Sequence, residues 1–260
     1  MIRPIFWAIV AGLVVGCLTV ASGQPRLQVE KPSGYQVGER IEKEVTVLDK
    51  DLQPQSLVSL IKPETKVLVL VGFGGIAARV PEGKFRGPLW CEDSFDDLAV
   101  QRALVAAFRH SPVQFIGVAV PPVYNPSAFG YSKNSFLGYS DTSPEFLADA
   151  RQFVTGTEEQ VARKLIPFDQ VFYDLKYRLG DKPSGPDATA GYGEIQPWQS
   201  KLKWHLDPRK YGLPIIWLIG PKGEVLQEPF FSNDYDSDPP QIMYQFQDLK
   251  AAIEKYLADR

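Results

Sequence analysis

Two stretches decide the fold: Lys66-Val67-Leu68-Val69-Leu70-Val71-Gly72-Phe73 and, after a Gly- and Pro-containing interval, Leu89-Trp90-Cys91-Glu92-Asp93-Ser94. The first is an almost unbroken aliphatic run, the pattern of a strand covered on both faces. The second opens a segment in which Phe95, Leu98, Leu104, Val105 and Phe108 recur at helical spacing, so a helix is expected from Cys91 to His110. Val113 to Val120 is a second aliphatic run. Strand, helix and strand in that order make a βαβ unit with two parallel strands.

Working outward, Glu44 to Asp49 alternates polar and apolar residues, and with Leu57-Val58-Ser59-Leu60 it predicts a β-hairpin or two short strands ahead of the core. Beyond Val120 the chain is loop-like and carries Tyr124, Phe129, Tyr131, Phe136 and Tyr139. Ser143-Pro144 supplies a helix cap and an N1 proline, and Thr157 with Gln160 suggests a second, shorter helix. Phe168 to Asp174 predicts another strand, and the Gly-, Pro-, Asp- and Ser-rich stretch 181–196 an exposed excursion. Leu213 to Ile219 is a strand, Pro221-Lys222-Gly223 a turn, Glu224 to Gln227 its partner, and Gln245 to Ala258 a closing helix.

The 260 residues are 44% hydrophobic and 23% charged, enough for one well-packed domain. Lys and Arg total 28 against 31 for Asp and Glu, with no long basic run, which argues against a nucleic-acid partner. Met1-Ile2-Arg3-Pro4, an uncharged run from Ile5 to Val20 and the small residues Ala21, Ser22 and Gly23 read as a secretory signal, 1–23, followed by a linker, 24–38. Val14-Val15-Gly16-Cys17 offers the alternative of a lipoprotein box that leaves Cys17 lipidated, anchoring the chain to a membrane. The expected location is the periplasm or cell envelope in either case.

Of the two cysteines, Cys17 falls in the signal, so Cys91 is alone in the mature chain. A lone thiol in an oxidising compartment is packed and inert, paired with another molecule, or chemically used. With two histidines in the sequence, a Cys/His zinc site is disfavoured and no cofactor is indicated. Asp234-x-Asp236-x-Asp238 starts like a calcium loop, but Pro239 stands where glycine is needed and Gln245 where the closing Glu belongs.

A buried strand, a Trp-Cys-x-x-Ser helix start, a second strand, Gly212-Leu213-Pro214 before a third, a Lys-Gly turn and a terminal helix together resemble the thioredoxin-like superfamily, redoxin branch. That branch includes thiol–disulfide interchange proteins and alkyl hydroperoxide reductase relatives. The resemblance implies an α/β thioredoxin-like fold over 39–260, with an N-terminal β-hairpin extension and a long insertion, about 121–210, before the cis-Pro strand. It also implies that Leu213-Pro214 is a cis peptide facing Cys91.

Three departures from the family pattern matter. Ser94 stands where a second, resolving thiol would be, and Lys84 and Pro88 occupy the places of the peroxidase signature. Some 13 residues, Gly74 to Arg86, also separate strand and motif. The resemblance therefore implies a monothiol oxidoreductase in which Cys91 attacks, Ser94 and the helix start hold the charge, and Trp90 and Pro214 shape the groove. Protein thiols or disulfides would be its partners and an external thiol its reductant. A non-catalytic binding module and a one-cysteine peroxidase are the alternatives.

Two local effects oppose each other at the thiol. The helix start favours a thiolate by about 0.3–1 kcal/mol. Glu92, Asp93, Asp96 and Asp97 oppose it, at about 1 kcal/mol for a charge 4 Å away in water. His205 is a possible proton-transfer partner, whereas His110 reads as a cation closing its helix.

Overall fold

The computed structural model describes residues 35–81, 87–122, 126–133, 135–136, 143–175, 213–231, 233–234, 241–242 and 244–258. Its centre is β3 (Val67–Gly74), paired in parallel with β4 (Val113–Val120) from Val67↔Val113 to Gly74↔Val120. The helix between them, α1 (Glu92–Ala107), completes the βαβ unit. β5 (Gln170–Tyr173) extends the parallel set beyond β4, while β6 (Ile215–Ile219) lies antiparallel on the other side of β3. With the hairpin β1 (Thr46–Leu48) and β2 (Pro54–Ser56) at one edge and β7 (Phe230–Phe231) at the other, the seven-stranded order is β2-β1-β5-β4-β3-β6-β7. A separate short ladder pairs β8 (Asn233–Asp234) with β9 (Gln241–Ile242).

The side-chain period of two explains why the central runs are almost wholly apolar, with Gln114 of β4 the one polar side chain in them. Val67, Val69, Val71 and Phe73 enter one buried cluster with Leu98 and Leu104 of α1, Phe153 of α2 (Pro144–Ala162) and Leu249 and Ile253 of α3 (Phe246–Ala258). Leu68 and Leu70 point the other way, into a second cluster built with Tyr35, Ile41, Val45, Val47 and Leu57 from the N-terminal segment. Both faces of the sheet are thus sealed, each buried aliphatic side chain contributing roughly 1.5–3 kcal/mol.

Three expectations are corrected. Leu57–Leu60 is a 3-10 turn with Leu57 buried, because Ser56 already ends the hairpin with its hydroxyl donated to Lys43 O. Thr157 does not start a second helix; α2 runs continuously from Pro144 to Ala162, and the Thr157 hydroxyl donates 2.8 Å to Phe153 O within it. Glu224 to Gln227 is not a full strand: Val225 bridges Ile219 and Leu226 N donates 2.9 Å to Leu218 O, and the strand beside β6 on the side away from β3 is β7. The stretch read as an insertion supplies α2 and β5, and β5 lies beside β4 in the main sheet. Ser143 caps α2 as its sequence suggests, accepting from Phe146 N at 3.1 Å. Residues 1–34, among them the signal-like segment and Cys17, the excursion 181–196 and His205 lie outside the described residues.

Candidate functional site

The interval between β3 and Cys91 is resolved by the chain pairing with itself. Ala77 N donates to Pro88 O at 2.8 Å, Trp90 N donates to Gly75 O at 3.0 Å, and Ile76 bridges Leu89. The chain therefore leaves the strand and returns to its tip, delivering Cys91 where a short connection would have put it. Gly74 makes the contact feasible, since a Cβ there would sit 2.3 Å from Cys91 Cβ. Sequence reasoning treated Gly74 only as the start of a loop; its position directly after an aliphatic strand was the available signal.

Cys91 is the N-cap of α1 (φ −105°, ψ 114°) and remains partly exposed. Its thiol donates to Leu213 O at 3.5 Å, and the Leu213–Pro214 peptide is cis. Ser94 is 1% exposed, and its hydroxyl oxygen accepts from Gly74 N at 2.9 Å, tying the first turn of α1 to the end of β3. Trp90 is fixed by its indole N–H, which donates 2.7 Å to Val120 O at the end of β4. The described members of the expected site, Trp90, Cys91, Ser94 and Pro214, thus converge where β3, β4, β6 and α1 meet.

The electrostatics differ from the expected contest between helix start and carboxylates. Burial of the sulfur is the largest influence and raises the Cys91 thiol to about 11. Hydrogen bonds from the Ser94 hydroxyl and from the Ser94 and Asp93 backbones pull it down, and the Asp93 charge pushes it up. The Ser94 hydroxyl and the helix start lower the thiol, but desolvation, which a sequence does not display, outweighs them. Asp97 is partly buried one turn along α1. Burial lifts its carboxyl to about 6, although Gln101 Nε2 donates 2.6 Å to its Oδ2. The hydroxyl of buried Tyr244 lies near enough to act on this carboxylate, yet makes no hydrogen bond of ordinary geometry.

The aromatic run after β4 divides. Tyr131 and Phe136 are core residues, with Tyr131 OH donating 2.9 Å to Ile76 O. Phe129 sets its ring against Trp90, with centroids 6.0 Å apart at 62°. Tyr124 and Tyr139 lie outside the described residues. His110 is exposed just past α1. Among the described residues no group of three or more His, Cys, Asp or Glu could hold a metal ion, and no helix is long and apolar enough to cross a membrane.

A βαβ unit, an antiparallel strand entered through a cis-proline, a closing helix and a cysteine heading α1 together define the architecture. The fold is thioredoxin-like. No family model and no curated protein matches the chain. Among solved structures, the chain is similar to a hypothetical protein of Sinorhizobium meliloti 1021 at 12% identity, covering 87% of each chain with a TM-score of 0.44. It is also similar to a thiol:disulfide interchange protein of the thioredoxin family from Chlorobium tepidum TLS, at 11% identity over 86% of this chain and 98% of that one, with a TM-score of 0.39. A peroxidoxin of Mycobacterium tuberculosis aligns at 14% identity over 86% and 94%, with a TM-score of 0.34. The thioredoxin-like assignment rests on this chain's own strand order and site geometry.

Proposed function

We propose that this chain is an exported thioredoxin-like protein that performs thiol–disulfide exchange through the single thiol of Cys91. The observation that carries the reading is the placement of Cys91, a partly exposed residue, at the head of α1, with its sulfur 3.5 Å from the carbonyl of Leu213 across the Leu213–Pro214 turn. In the reaction, Cys91 loses its proton and attacks one sulfur of a substrate disulfide. A Cys91–substrate disulfide forms, and the second substrate sulfur departs as a thiolate that takes up a proton. Ser94 cannot resolve this intermediate, because its hydroxyl is no substitute for a thiol nucleophile. An external thiol attacking the bound substrate sulfur regenerates Cys91 and carries that sulfur away as a new disulfide. Trp90 and Pro214 wall the groove. The N-terminal charge pattern and the uncharged run from Ile5 to Val20 support export to the periplasm or cell envelope.

The second reading is a non-catalytic binding module, favoured by the thiol being held up to about 11. One experiment separates the two. The folded mature chain, mixed with an excess of glutathione disulfide, should gain a single mass adduct on Cys91. That adduct should be released by a reducing thiol and be absent from Cys91→Ser. Modification that occurs only after denaturant is added overturns exchange and leaves the binding module.

A further inference from the structure

Further along α1 lies a group of polar side chains that the chemistry of Cys91 does not use. Gln101 and Tyr244 are 1% and 4% exposed, yet Gln101 Oε1 and Tyr244 OH each lack a hydrogen-bond partner within the protein. Both border the same carboxylate. Gln101, one turn beyond Asp97, donates Nε2 to Asp97 Oδ2 at 2.6 Å, which leaves Oε1 on the other side of its amide. Tyr244 holds its hydroxyl close enough to favour the charged form of Asp97, without a hydrogen bond of ordinary geometry. The surroundings keep these groups in place. The Tyr244 ring meets Phe230 of β7 edge to face, with centroids 5.9 Å apart at 78°, and the next residue, Gln245, donates its N–H 2.8 Å to Asp248 Oδ2 at the start of α3.

Leaving a buried hydroxyl or amide oxygen unbonded is costly, and two beside one carboxylate call for a shared partner. Asp97 cannot serve both. Ionised, it only accepts, so it has nothing to donate to Gln101 Oε1. Turning the Gln101 amide over would set its oxygen against the carboxylate and strand the nitrogen instead. A molecule with two donor hydrogens and two lone pairs meets every requirement at once. It donates to Gln101 Oε1 and to the carboxylate, and it accepts the Tyr244 O–H. Asp97 is itself partly exposed, so the group borders solvent on that side.

We propose that Asp97, Gln101 and Tyr244 form a binding site for one buried water, which ties the middle of α1 to the segment leading into α3. Three hydrogen bonds are what a buried water ordinarily makes. The site stands apart from disulfide exchange at Cys91, so the failure of either assignment leaves the other intact.

Tyr244→Phe and Gln101→Met, each close in shape to the residue replaced, are compared singly and together by denaturant unfolding at pH 8, well above the Asp97 carboxyl at about 6. Tyr244→Phe should lower the folding equilibrium constant about three- to tenfold, because it strips a hydrogen bond from the water. Gln101→Met, which also gives up the bond to Asp97, should lower it further. The double variant should lose clearly less than the product of the two, since both act on one water. A Tyr244→Phe protein that is as stable as the unaltered chain, or more so, overturns the site, because removing an orphaned hydroxyl costs nothing. Losses that multiply in the double variant overturn it as well. A high-resolution crystal structure of the unaltered chain gives a second, independent check. One solvent peak should lie within hydrogen-bond distance of Gln101 Oε1, Tyr244 OH and an Asp97 oxygen. A direct Tyr244–Asp97 hydrogen bond with no such peak sinks the proposal.

Discussion

At residue level, the thiol of Cys91 determines how fast any chemistry can be. Moving a thiol from 9.0 to about 11 leaves roughly a hundredfold less thiolate at pH 7. The more basic thiolate is intrinsically more nucleophilic and recovers roughly eightfold. Cys91 in the folded chain should therefore react with iodoacetamide about tenfold more slowly than an exposed thiol, with its rate still climbing above pH 9; a plateau below pH 8 would contradict this. Ser94→Ala removes a hydrogen bond that favours the thiolate and orphans the buried Gly74 N–H. It should slow that alkylation further and cost about 1–3 kcal/mol in a denaturant melt.

Asp97 gives a second prediction at this scale. Its carboxyl is raised from 3.8 to about 6, so the folded state binds its proton more tightly than the unfolded chain does. That favourable contribution is fully present below pH 3.8 and is lost as pH rises through 6. Asp97→Asn should thus stabilise the protein above pH 6 by about 1–2 kcal/mol, allowing for partial exposure, with the gain vanishing near pH 4 in paired thermal melts.

The elements show how positions that look like punctuation carry the site. Gly74 ends β3, donates its N–H to Ser94 and leaves space for Cys91 Cβ. Gly74→Ala places a methyl group 2.3 Å from that atom, with the strand and the helix start both fixed. The expected result is a loss of about 2–4 kcal/mol together with an altered Cys91 alkylation rate, because α1 must shift to relieve the overlap. Ser143→Ala, far from the site, should cost about 1 kcal/mol through loss of the α2 cap and leave the alkylation rate unchanged. Helix α1 shows why periodicity alone was incomplete. Its inward face carries buried Ser94 and Gln101 beside Leu98 and Leu104, whereas Phe95 and Val105 are only partly covered. Polar residues stand at core positions where they have specific partners, Gly74 for Ser94 and Asp97 for Gln101.

On the scale of the whole molecule, stability is concentrated at β3, β4 and β6, whose side chains fill both clusters. Amides of β3 and β4 should be the slowest to exchange with deuterium, and those of the three-residue hairpin strands β1 and β2 among the fastest of the sheet. The sequence by itself determined the strands β3 and β4, the helix headed by Cys91 and the cap of α2, because apolar period and capping chemistry are local properties. It also marked Leu213–Pro214 as the turn to stand opposite Cys91, through a resemblance carried by a handful of residues. Only the tertiary structure decided that the chain returns from Gly75 to Trp90, that the strand after α2 takes its place beside β4 in the main sheet, and that Phe129 alone of the described late aromatics reaches Trp90. It decided the state of the thiol as well. Desolvation depends on which atoms from distant parts of the chain cover the sulfur, and Leu213, 122 positions away, is one of them.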